Sequence, residues 1–199
     1  MARTRAWHAV SAWTRGALAF GLAMVGVCAA AAGSQEQSPG FVLSSPTLAH
    51  GVEPAQRYDG PGCGGANVSP ELDWRGLPPG TRSLALTVFD RDARAGAGWW
   101  HWAVADIPAS ATGLPLGAGS PAAAGMPDGA RQLRTSFGRE AYAGPCPPPG
   151  SGTHHYEFTL WALPVAHLEL PAGAGAPELA ATAAARAIAT ARMQVEYGR

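Results

Sequence analysis

Ser83-Leu84-Ala85-Leu86-Thr87-Val88-Phe89 is the stretch on which the fold turns. Side chains alternate in an extended chain, so Leu84, Leu86 and Val88 share one face while Ala85, Thr87 and Phe89 share the other. Both faces are apolar, which makes this a central strand. Asp90 and Asp92 follow it directly. If the strand geometry continues, both fall on the face of Leu86 and Val88.

Working outward, further strands are expected at Phe41 to Leu43, Leu72 to Trp74, Trp100 to Ile107, Tyr156 to Leu163 and Met193 to Tyr197. Each is bounded by Gly, Pro, Asn or Asp. On plain alternation His101 lies on the face opposite its neighbours Trp100 and Trp102. His154 and Tyr156 are two apart and share a face of the strand that runs into Phe158 and Leu160, with His155 on the other side. One helix is expected near the end of the chain: Pro177 and Glu178 suit a first turn, and the Ala-rich run to Arg192 favours helix. Arg186 and Arg192 then complement its C-terminal dipole. Gly113 to Gly129 and Ala143 to Gly152 read as long loops, which in a compact domain are functional or loosely ordered.

The composition agrees with a mostly β, turn-rich domain. Gly (26) and Pro (18) make up more than a fifth of the 199 residues, yet aromatic and β-branched residues persist between them. Fourteen basic residues balance fourteen acidic ones, so no electrostatic footprint for nucleic acid or an anionic membrane is present.

The N-terminus differs from the rest. Arg3, Arg5 and Arg15 precede an apolar run, Ala17 to Ala32, that closes in small residues. This reads as a secretory signal over 1–32, cleaved after Ala32, followed by a polar tether over 33–40 and a domain over 41–199. An uncleaved anchor is the rival, although the run falls short of the roughly 20 residues of a spanning helix. Lipidation at Cys28 is disfavoured by the branched Val27 before it. The expected location is secreted or periplasmic, with no stable membrane span after cleavage. The mature chain then keeps Cys63 and Cys146 in an oxidising compartment, where pairing is the natural expectation and two separate buried thiols the alternative. The loop closed spans 83 positions, for which chain entropy gives roughly 4 to 5 kcal/mol as an upper figure.

Familiar catalytic machineries are missing. Gly60, Gly62 and Gly65 match the spacing of a dinucleotide-binding loop, but Asn67-Val68-Ser69-Pro70 follows where a helix is required. There is no Gly-x-Ser-x-Gly elbow, no phosphate-binding loop and no Cys-x-x-Cys. Lysine is absent, which excludes Schiff-base chemistry. What remains is Asp90, His101, His154 and Tyr156, polar residues at the ends of apolar strands. Converging on one pocket they suit a phosphate or carboxylate, since imidazolium and phenol donate while Asp fixes a histidine tautomer. Each residue alone has a plainer explanation, as a turn former or a packed core histidine.

Several segments, in order, resemble the phosphatidylethanolamine-binding proteins, in particular their bacterial, Raf kinase inhibitor-like branch. They are Asn67-Val68-Ser69-Pro70, Leu72-Asp73-Trp74, Asp90-Arg91-Asp92-Ala93, Trp100-His101-Trp102, Phe137-Gly138, Tyr142-Ala143-Gly144-Pro145-Cys146-Pro147-Pro148, His154-His155-Tyr156 and Tyr197-Gly198-Arg199. The resemblance implies a central antiparallel sheet packed on a smaller one, with helices at the edge and an anion pocket at one end. It carries the pocket onto Asp90, His101, Gly144, Pro145, His154 and Tyr156. One segment departs: Arg91 and Arg94 stand where the family has prolines, which loosens the loop. Either arginine turned inward adds anion affinity; outward is the ordinary disposition and the one expected.

Four functions are compatible with these residues. The leading one is a binding module for a small anionic ligand or phospholipid head group, modulating a protein partner, with no cofactor or metal. The phosphatidylethanolamine of the family name is not to be taken literally for this chain. The alternative is a small-molecule hydrolase or isomerase using His101 or His154 as base and Asp90 as its orienter. A zinc site on two histidines and a carboxylate is third. Last is a protease- or kinase-inhibiting surface with a vestigial pocket.

Overall fold

The structure is a computed structural model that describes residues 40–199. The expected signal segment 1–32, Cys28 and all of the tether but Gly40 lie outside the described residues.

The strands are β1 (Val42–Ser44), β2 (Leu72–Arg75), β3 (Ser83–Asp90), β4 (Trp99–Pro108), β5 (Gly113–Leu114), β6 (Arg131–Gln132), β7 (His154–Leu163) and β8 (Ala189–Tyr197), with helix α1 (Ala176–Arg186) before β8. β6-β4-β3-β7-β8 form a five-stranded sheet and β1-β2-β5 a three-stranded one, both antiparallel. The two apolar faces of β3 explain the layering. Leu84, Leu86 and Val88 pack with Leu43, Leu72 and Trp74 of the small sheet. Ala85, on the reverse face, packs with Trp161, Leu163 and the Leu179 and Ala183 of α1. Burying each of Leu84, Leu86 and Val88 stabilises the fold by roughly 1.5–3 kcal/mol, so the large sheet is anchored from both sides.

Three expectations are corrected. The helix does not reach Arg192: it ends at Arg186, and Ala187 is already extended at φ −64°, ψ 137°. Residues 189–191 are buried against β7, pairing Thr190 with Trp161 and Ala189 with Ala162. Sheet pairing and burial override the helix propensity of alanine. Second, Trp100 and Trp102 do not share a face. Val88 pairs with Trp102 but Phe89 pairs with Trp100, so His101 is the extra residue of a bulge. Trp102 joins the core beneath the small sheet, Trp100 packs on the helix side, and His101 joins the side of Tyr156, 5.1 Å between ring centroids. Third, the alternation stops at Asp90. Its Oδ1 accepts the backbone N–H groups of Asp92 and Ala93, at 3.0 and 3.2 Å, and turns the chain.

Candidate functional site

The bulge and the turn bring four side chains to one end of the large sheet. Asp90 and Tyr156 are directly opposed in the β3–β7 register, and His154 lies two residues before Tyr156 on β7. They line a cavity of about 600 Å³ together with His101, Trp99, Phe137, Pro147, Pro148 and Ser151, among others.

Asp90 is buried and accepts three hydrogen bonds. Beyond the two amides on Oδ1, its Oδ2 lies 2.7 Å from His154 Nδ1, which donates to it. His154 Nε2 faces the Ser151 hydroxyl at 3.1 Å. His101 is equally buried, but its Nδ1 donates to the Ala143 carbonyl at 2.7 Å. Burial outweighs that bond and pushes the His101 pKa down to about 4, so the ring is neutral at neutral pH and Nε2 is an acceptor. His101 therefore does not supply the imidazolium donor expected from the sequence. Burial, then the charge of Asp90, raises the Tyr156 pKa, which keeps the phenol protonated. A hydrogen-bonding interaction with the Asp90 carboxylate adds to the rise, although no acceptor meets the hydroxyl at full hydrogen-bond geometry.

At the rim, Arg94 lays its guanidinium over Trp99, 4.0 Å from the ring centroid. It is exposed but lines the cavity, against the expectation that both arginines point away. Arg94 and Ala95 have φ of +52° and +55°, a left-handed pair without glycine. Asp92 turns to His155, accepting its backbone N–H at 2.7 Å and its Nδ1 at 2.8 Å. That hydrogen bond holds the Asp92 carboxyl below its ordinary value.

Gly144 and Pro145 stand behind the wall and do not line the cavity; Cys146, Pro147 and Pro148 do. Gly144 donates to Asn67 Oδ1 at 2.8 Å, and a Cβ there would sit 2.1 Å from the Gln56 carbonyl oxygen. Only glycine fits. Pro145 O accepts from Tyr58 N at 3.2 Å. Cys63 and Cys146 form a disulfide that ties the wall to the 60–65 turn, and Arg199 bridges the same two segments through Pro147 O and Gly62 O. Among the described residues no group of three or more His, Cys, Asp or Glu is arranged to hold a metal ion.

The family model described as phosphatidylethanolamine-binding protein matches residues 44–198. The chain belongs to that family. The UPF0098 protein YbcL of Escherichia coli is 43% identical over 140 residues, covering 70% of this chain and 76% of YbcL. The putative lipoprotein LppC of Mycobacterium tuberculosis is 38% identical, covering 87% and 90%. The crystal structure of YbcL, described as a new member of the mammalian PEBP family, superposes with a TM-score of 0.75 over 80% of this chain and 98% of that one. A homolog from Chlamydia trachomatis, CT736, superposes with a TM-score of 0.64 at 28% identity, over 81% and 99%.

Within this family fold, sequence reasoning found the four buried polar residues and missed the rim. Trp99 and Arg94 were not paired, and Ser151 drew no notice. A signal existed for Ser151: it stands three residues before His154 in Pro148-Pro149-Gly150-Ser151, a turn that folds back toward β7.

Proposed function

We propose that the chain is an extracytoplasmic binding protein whose pocket takes a small ligand bearing a phosphate or carboxylate group, a free metabolite or a lipid head group. The observation that carries this is the Tyr156 hydroxyl: a buried donor, held protonated, lining the cavity beside Asp90 with no acceptor at full hydrogen-bond geometry. An unmet buried donor costs about 1–3 kcal/mol, which an incoming oxygen recovers. Arg94 is the single arginine among the lining residues and supplies permanent positive charge at the mouth. His101 Nε2 completes the set, since an anion beside it favours proton uptake by the ring. The disulfide and the relative named as a putative lipoprotein support the extracytoplasmic location. Among the described residues no helix is long and apolar enough to cross a membrane.

Calorimetric titration with inorganic phosphate, acetate and phosphoethanolamine tests the reading. Tyr156→Phe should weaken binding about fivefold without lowering the melting temperature, because it deletes an unpaired group. Arg94→Ala should weaken it about tenfold and flatten its salt dependence. Absence of heat with all three ligands would sink the proposal; so would binding that neither substitution alters.

A further inference from the structure

We propose that Ser151, His154 and Asp90 form a nucleophile, base and orienter, and that the pocket hydrolyses small carboxylic esters through an acyl-Ser151 intermediate. This extends the reading of the cavity as a ligand site to chemistry performed there. Three observations meet. Ser151 Oγ is 3.1 Å from His154 Nε2. His154 Nδ1 is 2.7 Å from Asp90 Oδ2, with both side chains buried. All three residues line one cavity. Such constellations are recognised by geometry and roles rather than by sequence order, so the missing Gly-x-Ser-x-Gly elbow does not count against it.

The plainer account of Ser151 is a turn residue, because Oγ also reaches the Pro148 carbonyl at 2.8 Å. That carbonyl already accepts the Ser151 backbone N–H at 3.1 Å and is not orphaned when the hydroxyl proton turns to His154. Nδ1–H is committed to a carboxylate whose other oxygen is held by two backbone amides, so Nε2 is left with the lone pair that a base requires. Ser151 itself is exposed at the mouth, within reach of substrate and water.

In the first step Oγ attacks the ester carbonyl carbon while its proton passes to Nε2, and the carbonyl electron pair moves onto oxygen. Asp90 stabilises the imidazolium, and the protonated Tyr156 hydroxyl is a donor for the oxyanion. Collapse expels the alcohol, which takes the proton from Nε2. Water then attacks the acyl carbon, passing a proton to Nε2 that returns to Ser151 as the acid leaves. Ester and water give acid and alcohol, with no other reactant. Phe137, Pro147 and Pro148 offer apolar walls to a short acyl chain.

The test uses the full chain with p-nitrophenyl acetate and butyrate, and a fluorophosphonate probe whose site is mapped by mass spectrometry. Labelling of Ser151, with turnover falling about 100-fold in both Ser151→Ala and His154→Gln, is the expected result. No labelling, labelling of another serine, or turnover unchanged in Ser151→Ala overturns it. Phosphoethanolamine titration of the same sample separates the two readings. Heat without labelling removes the nucleophile and keeps the binding site; labelling without heat does the reverse, and neither signal removes both.

Discussion

His101 of β4 and His154 of β7 flank the central strand in one pocket, equally buried, each with Nδ1 at 2.7 Å from an oxygen. The oxygen differs. Ala143 offers His101 a backbone carbonyl, and burial keeps that ring neutral; Asp90 offers His154 a carboxyl oxygen. Neither depth nor distance distinguishes the two rings. What separates them is the chemistry of the acceptor, which comes in one case from a loop and in the other from the end of the central strand.

The largest effect is expected on the loop side. Replacing both Cys63 and Cys146 by Ser frees the segment that presents Ala143 and should cost about 4 kcal/mol in urea unfolding. A loss below 1 kcal/mol would mean that Arg199 and the proline-rich wall hold it unaided. On the strand side, Asp90→Ala removes three accepted hydrogen bonds and should cost about 3 kcal/mol. If it cost no more than an exposed Asp, the distinction between the two acceptors would collapse.

Protons test the comparison directly. The folded pKa of His101, about 4, lies below its unfolded value near 6.5, so the unfolded chain takes up the proton first as pH falls. The stability that His101 contributes is present above pH 6.5 and is lost toward pH 4, by about 3 kcal/mol in all. Measured against His101→Gln, which keeps a donor for Ala143 and cannot titrate, the wild type should show that additional loss. Parallel curves would place His101 in water. The smallest effect leaves both histidines alone: Arg94→Gly relieves a left-handed φ and should gain less than about 1 kcal/mol. A stability loss there would mean that stacking on Trp99 outweighs the backbone strain.

Much of the fold is legible in the sequence. β3 announced itself by two apolar faces, and Asp90, His154 and Tyr156 follow from strand ends and a period of two. His101 was found as a residue but misplaced as geometry, because a bulge is a mismatch between two strands and neither strand alone records it. The helix was drawn six residues too long, from Arg186 to Arg192, because alanine propensity is local whereas pairing with β7 is not.

The sequence by itself determined the mostly β class, the family and the buried polar quartet, since patterning and turn chemistry act between near neighbours in the chain. Tertiary structure alone decided which oxygen each histidine meets. It also set the neutral state of His101 and the placing of the Tyr156 hydroxyl beside Asp90. Those depend on burial and on distances between segments up to 64 residues apart, and the local order of residues encodes neither.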